Sequence, residues 1–365
     1  MFQGNASHTG YVPAQFNPTR FTPRWLRQPP QLPDRQMKFS ASVSEGGLVF
    51  AVADSYFAQA YLIALREADG ESAWEADLGS LHDVHPPSVS NGKVYFASSG
   101  HEDTFMWSFD AGTGMKRFQT PFASQWEQYL SPTIVDDEVY TNGGYYGGAY
   151  SFSATDGATK WFTSLPQYDG WTPAVDAENL YAYVGGTLFV MQRTDGNILF
   201  NINDPNSEWA GYNMGGAPIL SSPGHVLVAN GMHYRNHLVK FDLAAGNVDW
   251  AVSGSFRAQP AVAKGVIYAT NEATKPHSLE ARSEETGELL WSVPLTIDQS
   301  VGFTGNVVAS DNLVFFSSVD QVYAIDLFSR RSVWTYPRGG SLSLSSHGVL
   351  YISRTDGKLA AINLQ

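Results

Sequence analysis

Residues 260–291 read PAVAKGVIYATNEATKPHSLEARSEETGELLW, and this stretch contains every part of a unit that recurs along the chain. The unit has a proline, alternating apolar residues, a Lys-Gly turn, a run ending in tyrosine, a loop, another apolar run, a Thr-Gly turn and a tryptophan. Alternation with a period of two predicts strands, and the glycine-containing turns predict hairpins. The stretch therefore predicts four short antiparallel strands.

The spacing of this unit indicates the architecture. By subtraction, successive leading prolines are 45, 41, 45 and 42 residues apart, at Pro87, Pro132, Pro173, Pro218 and Pro260. A period of about 40–45 residues is typical of a four-stranded β-propeller blade. An aromatic residue follows the last turn of each unit and is expected to pack between neighbouring sheets. These residues are Trp74, Phe118, Trp161, Phe200, Trp250, Trp291 and Trp334.

The two ends of the chain supply one further unit. Residues 348–363, GVLYISRTDGKLAAIN, stop before their outer strand, and Phe21-Thr-Pro-Arg-Trp25 resembles the missing strand. Pairing them would remove exposed sheet edges. We predict an all-β, eight-bladed β-propeller of four-stranded antiparallel blades, one domain over 1–365, with a lead-in at 1–20. The last blade is shared between about 21–30 and 341–365, and seven blades is the alternative.

Composition excludes several functions. The net charge is −13, from 22 Lys and Arg against 35 Asp and Glu, which disfavours nucleic acid as a partner. No apolar run is long enough to predict a membrane span. The absence of cysteine excludes disulfides and thiolate ligands. The first residues contain no basic and apolar leader, so we expect any export signal to lie outside this sequence.

The repeat resembles the pyrroloquinoline-quinone-like, or quinoprotein-type, propeller family. The resemblance rests on Gly265-Val-Ile-Tyr268, Glu285-Thr-Gly-Glu-Leu-Leu-Trp291 and Thr355-Asp-Gly-Lys-Leu-Ala-Ala-Ile-Asn363, and it extends over nearly the whole chain. It implies several uses, because the family includes quinone-dependent dehydrogenases, a propeller lipoprotein of outer-membrane barrel assembly and surface modules. The dehydrogenases typically have an adjacent cysteine pair, a calcium set of Glu and Asn, and an Asp base, and no complete set is recognisable here.

Antiparallel order assigns the loops to two faces. The connections between blades and the loops between second and third strands lie on one face, which we name the crossover face. The glycine turns lie on the other, the turn face. Many histidines and non-repeat aromatics fall on the crossover face, where they predict a ligand site at the channel mouth. The candidates are His82, His85, Trp126, Glu127, Tyr129, Tyr168, Trp171, Trp209, Tyr212, His233, Arg257 and Gln259.

The same residues allow competing interpretations. Aromatics can simply close the loops over the channel, and for each single residue this structural role is favoured. His82-x-x-His85 is a weak metal signal, so no metal site is predicted. His233 or His101 with Glu102, Asp103 or Glu127 could form an acid/base pair for sugar cleavage or elimination.

We therefore predict a non-catalytic, extracytoplasmic binding or scaffold propeller of the periplasm or cell surface, without a cofactor. Its partner would be a protein or a glycan, and the chain would act as a monomer or as a module of a larger surface protein. The alternative is a quinone-dependent dehydrogenase with calcium, or a sugar-acting lyase or hydrolase, that uses histidine and carboxylates on the same face.

Overall fold

A computed structural model describes residues 1–100, 104–125, 129–208, 213–230, 236–295 and 301–365. In these ranges the chain forms eight blades arranged in a ring, which confirms the predicted eight-bladed β-propeller. Blades 1 and 2 each have an additional short strand before the inner strand. Blade 1 contains Lys38–Phe39, Val43–Glu45, Leu48–Asp54, Ala58–Arg66 and Ser72–Leu81, and blade 2 contains Asp83–Val84, Ser88–Ser90, Lys93–Ser99, Phe105–Asp110 and Lys116–Pro121.

Blades 3 to 5 follow in chain order. Blade 3 consists of Thr133–Val135, Glu138–Asn142, Gly148–Ser153 and Thr159–Ser164, and blade 4 of Ala174–Val175, Asn179–Val184, Thr187–Gln192 and Ile198–Asn203. In blade 5 the inner position is an isolated bridge between Ile219 and Leu227, and the strands are His225–Asn230, Asn236–Asp242 and Asn247–Gly254. A parallel pair, Asp169–Trp171 with Asn213–Gly216, connects neighbouring crossovers.

Blades 6 to 8 complete the ring. Blade 6 consists of Ala261–Ala263, Val266–Asn271, Ser278–Ser283 and Leu289–Pro294, and blade 7 of Phe303–Ala309, Leu313–Ser318, Gln321–Asp326 and Arg331–Pro337. Blade 8 consists of Gly340–Leu344, Val349–Arg354, Leu359–Asn363 and the N-terminal strand Thr22–Arg27. Two short 3-10 turns, Phe2–Gly4 and Pro18–Arg20, precede that strand.

The eighth blade closes the ring in the predicted way. Thr22–Arg27 pairs antiparallel with Leu359–Asn363, from Thr22 opposite Asn363 to Arg27 opposite Leu359. The first and last strands of the chain therefore lie in one sheet, which confirms the shared blade and excludes the seven-bladed alternative.

The apolar core lies between the blades. Buried clusters join neighbouring blades around the ring, because a strand's two faces both pack against adjacent sheets. The cluster between blades 8 and 1 includes Met37, Val49, Tyr351 and Leu359. Closure thus buries a hydrophobic interface as well as forming strand hydrogen bonds.

Outer-strand aromatic residues attach most blades to the next one. Trp25 of blade 8 lies over Gly70 of blade 1, where an added Cβ would be 2.6 Å from the indole ring. Its Nε1 also donates a 3.0 Å hydrogen bond to the Glu67 carbonyl. Gly70 has a φ of +73°, so the turn needs glycine for both conformation and space. Trp74, Trp161 and Trp250 repeat the indole hydrogen bond to the next blade.

Three interfaces in the described ranges depart from this arrangement. Trp334 of blade 7 contacts the Phe21 ring edge-on, because the outer strand of blade 8 comes from the N-terminus and no hairpin turn precedes it. The seventh turn has Arg330 in place of glycine, and its guanidinium lies 5.7 Å from the centre of the Trp291 ring, so a cation–π contact replaces the close packing. Phe200 of blade 4 is exposed, and a Cβ added at Gly246 of blade 5 would meet no heavy atom within 4 Å. The rim between blades 4 and 5 is therefore more open.

The N-terminal lead-in lies inside the ring. The carbonyls of Ala6, Ser7 and Thr9 accept hydrogen bonds from Val175, Leu220 and Val262, which belong to the inner parts of blades 4, 5 and 6. Further along, Gly10 and Val12 exchange main-chain hydrogen bonds with Ala309 of blade 7.

Buried side chains fix this segment. The His8 ring is fully buried, with Nδ1 3.0 Å from the Pro218 carbonyl oxygen and Nε2 3.0 Å from Thr133 Oγ1. Gln3 Nε2 donates to the carbonyls of Pro260 and Val307. The lead-in therefore contacts the inner walls of several blades before it reaches the outer strand of blade 8.

We predict that Trp25→Ala lowers the free energy of unfolding by about 3 kcal/mol, because it removes a large aromatic contact and an indole hydrogen bond at the closing interface. The neighbouring Leu26 is exposed, so Leu26→Ala should change stability by less than about 0.5 kcal/mol. Equilibrium denaturant unfolding measures both. Equal effects of the two substitutions would contradict the role given to Trp25.

Candidate functional site

Three of the candidate residues form a buried group at the blade 2 crossover. His82 Nδ1 lies 3.1 Å from the Ser99 carbonyl oxygen, and His85 Nε2 lies 2.9 Å from Ser99 Oγ. The main-chain N–H of Tyr129 donates to His85 Nδ1 at 3.3 Å. Burial lowers the pKa of His85 to about 4, which agrees with a neutral ring that accepts this bond. The structure thus brings His82, His85 and Tyr129 together in packing and hydrogen bonding.

Of the remaining described candidates, Trp171 forms a parallel bridge with Tyr129, whereas Arg257 and Gln259 lie before the inner strand of blade 6. Trp171 is only 1% exposed, and its Nε1 donates to the Tyr168 carbonyl at 2.8 Å. Arg257 is exposed and lies 3.8 Å from a Glu272 carboxylate oxygen. Gln259 is buried, and its amide forms two hydrogen bonds with the main chain of Ala217, which connects blade 6 to blade 5.

The other predicted residues lie outside the described residues. Their contribution to a ligand site, and the acid/base pairs suggested for them, stay predictions: Trp126, Glu127, Trp209, Tyr212 and His233, together with His101, Glu102 and Asp103. Within the described ranges no group of three or more His, Asp or Glu side chains is arranged to hold a metal ion.

The structure exposes an aromatic pair that our sequence reasoning missed. Tyr56 and Phe57 lie in the loop between the second and third strands of blade 1, and 59% and 55% of their surfaces are exposed. Both rings contact the His82 ring edge-on with centroids 4.5 Å apart. The loop belongs to the crossover face by the same antiparallel order used above. The sequence therefore contained a signal for this site, because two adjacent aromatic residues lie in a loop that strand order assigns to the crossover face.

The Tyr56–Phe57 loop is held in a defined conformation. Phe57 has a φ of +56°, a region that bulky residues rarely adopt. Its N–H donates to the His82 carbonyl at 3.0 Å, while Arg35 donates to the Tyr56 carbonyl at 2.9 Å. The Tyr56 hydroxyl lies 2.7 Å from His82 Nε2. The buried His82 thus supports an exposed aromatic surface, which we name the aromatic cluster: Tyr56, Phe57 and His82.

Two carboxyl groups meet beside this cluster. Burial raises the pKa of Asp54 to about 7, and the charge of Asp83 and a hydrogen bond with it act in the same direction. Lys38 opposes the shift. The two side chains come from blades 1 and 2, so the hydrogen bond between them links neighbouring blades at the crossover face.

A second buried acidic group lies between blades 4 and 5. Asp204 Oδ2 accepts from the Tyr183 hydroxyl at 2.8 Å and lies 2.5 Å from His237 Nε2. Burial opposes ionisation of Asp204, but its hydrogen bonds, with that to His237 first, hold the pKa of the carboxyl below its usual value. All three side chains are buried, so we interpret this group as a connection between blades.

A cavity of about 520 Å³ lies within the ring. One part of its wall is the lead-in, including Phe2, Gln3 and Tyr11, and the rest comes from the inner parts of blades 1, 2, 3, 6, 7 and 8. The lining residues that the structure describes include many serines and no Asp, Glu, Lys, Arg or His. This described part of the wall is therefore polar in places and carries no charged side chain.

The ring of eight blades and its repeat define a pyrroloquinoline-quinone-like β-propeller. A family model described as outer membrane protein assembly factor BamB matches residues 24–250 and 147–365, two overlapping ranges that together include most of the chain. The chain belongs to this family. No curated protein matches its sequence significantly.

Solved structures share the fold at low sequence identity. BamB from Moraxella catarrhalis superposes with a TM-score of 0.68 at 15% identity, covering 90% of this chain and 99% of that one. Quinohemoprotein alcohol dehydrogenase ADHIIG from Pseudomonas putida HK5 gives 0.67 at 13%, covering 99% and 80%. A europium-containing methanol dehydrogenase gives 0.67 at 11%, covering 100% and 97%. At these identities the likeness shows the fold alone.

The described residues that line the cavity do not fit a calcium-bound quinone. Calcium is bound by six to eight oxygen ligands that usually include carboxylates, and these residues include neither Asp nor Glu. An anionic cofactor would also need a cationic partner when removed from water. None of these residues is Lys or Arg, and burial lowers the pKa of the Met1 α-amino group, which lines the cavity, to about 5. No step is therefore derived through such a group.

Among the described residues, no helix has the length and apolar character needed to cross a membrane.

We predict that Asp54→Asn changes the dependence of stability on pH. Because folding raises the pKa of Asp54 to about 7, the folded wild type retains a proton that the unfolded chain loses near pH 4, and its stability declines as the pH rises through this interval. The amide cannot ionise, so the free energy of unfolding of the variant should rise relative to that of the wild type between pH 4 and pH 8. The gain should be roughly 2 kcal/mol, since each pKa unit is worth about 1.4 kcal/mol and the site is only partly buried.

Denaturant unfolding at pH 4, 6 and 8 measures this difference. Asp34 is exposed, and Asp34→Asn is the matched control that should follow the wild type at every pH. A constant offset between Asp54→Asn and the wild type across this range would show that the carboxyl pair does not share a proton.

Proposed function

We propose that the chain is a non-catalytic, extracytoplasmic binding or scaffold propeller that binds a protein partner through the crossover face. The observation that carries this proposal is the aromatic cluster, in which Tyr56 and Phe57 are exposed on a loop supported by buried His82. Membership of a family described as an outer membrane assembly factor supports a protein as the partner and the periplasm or cell surface as the location.

The chemistry of the aromatic cluster suits a protein interface. Aromatic residues are enriched at the centres of interfaces, where they contribute large contact areas with little loss of side-chain freedom. Tyr145 and Tyr146 lie in the equivalent loop of blade 3 and are also exposed. Rigid loops with exposed aromatics on one face of a ring are therefore a suitable docking surface.

The rival enzymatic function has less support. A quinone-dependent dehydrogenase needs a cofactor site, and the described residues that line the cavity, which include no charged side chain, do not fit one. Among the described candidates, His82 and His85 are both bound to Ser99, and Trp171 is buried. We therefore assign these three residues a supporting role beneath the crossover face.

Substitution of the exposed pair tests the proposed face. In the Tyr56→Ala/Phe57→Ala variant we expect at least a tenfold loss in recovery of a partner protein from a cross-linked envelope extract of the source cells, because losing an aromatic anchor costs about 2 kcal/mol or more. Quantitative mass spectrometry of proteins captured by immobilised wild type and variant gives the ratio.

Phe328 provides the matched control. It is 97% exposed but lies in a turn of blade 7 on the opposite face, so Phe328→Ala should capture the same partner as the wild type. Thermal unfolding confirms that all variants are folded. If no captured protein distinguishes the double variant from Phe328→Ala, the crossover-face proposal is wrong.

We predict no saturable thermal stabilisation by pyrroloquinoline quinone with Ca²⁺. A ligand present at a hundred times its Kd would stabilise the folded state by about 2.7 kcal/mol, which a thermal shift detects readily. Titration of both components, with Mg²⁺ replacing Ca²⁺ as the control, makes the measurement. A reproducible, calcium-dependent and saturable increase in Tm would support the enzymatic alternative.

A further inference from the structure

The cavity within the ring has two unlike walls. On one side, the lead-in hydrogen-bonds through its main chain to inner parts of blades 4 to 7, including a parallel bridge between Tyr11 and Ala309. The chain itself thus shows that inner-strand edges of this propeller bind an extended peptide. The lead-in leaves a cavity of about 520 Å³ beside it, within the usual range of about 300–1,000 Å³ for ligand sites.

The opposite wall offers inner-strand edges without a main-chain partner. In the described part of the chain, the main chains of Val43–Glu45 and Ser88–Ser90 pair only with the second strands of their own blades. Val43, Ser44 and Val89 line the cavity. An unpaired edge presents N–H and C=O groups that an added strand can pair with.

In blade 8 the main-chain N–H and C=O groups of the inner strand edge form hydrogen bonds with a side-chain amide of the neighbouring blade. The Asn306 amide accepts from the Leu342 N–H at 2.9 Å and donates to the Leu342 carbonyl at 3.0 Å, so it imitates a neighbouring peptide. Gln259 does the same with Ala217 in blade 5. Elsewhere in the ring, the main-chain groups of these inner edges therefore bind amide groups.

The cavity lining restricts the ligand to uncharged groups. Among the described residues that line it, none is Asp, Glu, Lys, Arg or His, so a charged side chain would meet no oppositely charged side chain of these residues. Ser131 is 4% exposed and lines the cavity. Further hydroxyls alternate with apolar side chains along the wall, as Ser341, Leu342, Ser343 and Leu344.

We propose that this cavity binds an extended, uncharged peptide segment in trans, which pairs with the inner edges of blades 1 and 2 as the lead-in pairs with blades 4 to 7. The peptide main chain satisfies the strand edges, and its small polar or apolar side chains face the serine and leucine side chains of blade 8. The site is separate from the aromatic cluster and does not depend on the partner proposed for the crossover face.

A library of random heptapeptides displayed on phage is the probe. Clones are selected on immobilised wild-type protein and then tested on Ser343→Trp, which fills the cavity from blade 8, and on Ser44→Phe, which fills it from blade 1. Ser253→Trp is the matched control, because Ser253 is exposed on the outer strand of blade 5. Thermal unfolding shows which variants are folded, and only these are compared. One folded cavity variant is sufficient to test the proposal.

We expect enriched peptides that lack Asp, Glu, Lys and Arg in their central positions. Their synthetic forms, acetylated and amidated at the ends, should bind wild type and Ser253→Trp alike and lose at least tenfold in affinity for either cavity variant. Insertion of one Asp or Lys at a central position should cause a similar loss.

Three results would overturn the proposal: no clone that distinguishes the wild type from the cavity variants, enrichment of centrally charged peptides, or binding that the cavity variants retain. A panel of neutral oligosaccharides is titrated in parallel. Oligosaccharide binding that is lost in Ser343→Trp, without peptide binding, would also show that the assignment to a peptide is wrong.

Discussion

Closure of the ring by the N-terminal strand is the interaction on which the rest of the structure depends. Thr22–Arg27 completes the eighth sheet, and Trp25 packs over Gly70 of the first blade. Each sheet has apolar residues on both faces and must be covered by two neighbours, so an open ring would leave the cluster between blades 8 and 1 exposed. Because the closing contacts join the two ends of the chain, every blade depends on them.

The same strand explains where the lead-in goes. A chain that must reach the outer strand of blade 8 from the centre of the ring passes the inner edges of several blades, and it hydrogen-bonds to them on the way. Buried His8 and Gln3 hold it there, since their polar atoms find partners on blades 3, 5, 6 and 7. The lead-in therefore shapes the cavity and determines which inner edges stay unpaired.

The crossover face shows how a repeat fold acquires a distinct surface. Its blade connections join strands of the same geometry, yet their side chains differ from blade to blade. At blades 1 and 2, a half-buried carboxyl pair lies beside two buried histidines, and one of these, His82, contacts exposed Tyr56 and Phe57. At blades 4 and 5, Asp204, Tyr183 and His237 form a fully buried connection instead. Similar sets of polar side chains thus stabilise an exposed loop in one place and a buried contact between blades in another, depending on the loops that cover them.

The amino-acid sequence alone determined the four-stranded blade, because strand alternation, turn glycines and outer aromatics are local signals that repeat. It predicted eight blades and the closing strand with seven blades as the alternative, and the pairing of the two chain ends in the structure decided for eight. It also assigned Tyr129, Trp171 and Gln259 to the connections between blades. Their burial was decided by tertiary structure, since whether an aromatic residue lies above or beneath a loop depends on neighbouring blades that are distant in sequence. The path of the lead-in, the exposure of Phe57 and the composition of the described cavity lining likewise follow only from the assembled ring, because each arises from residues that the fold brings together from several blades.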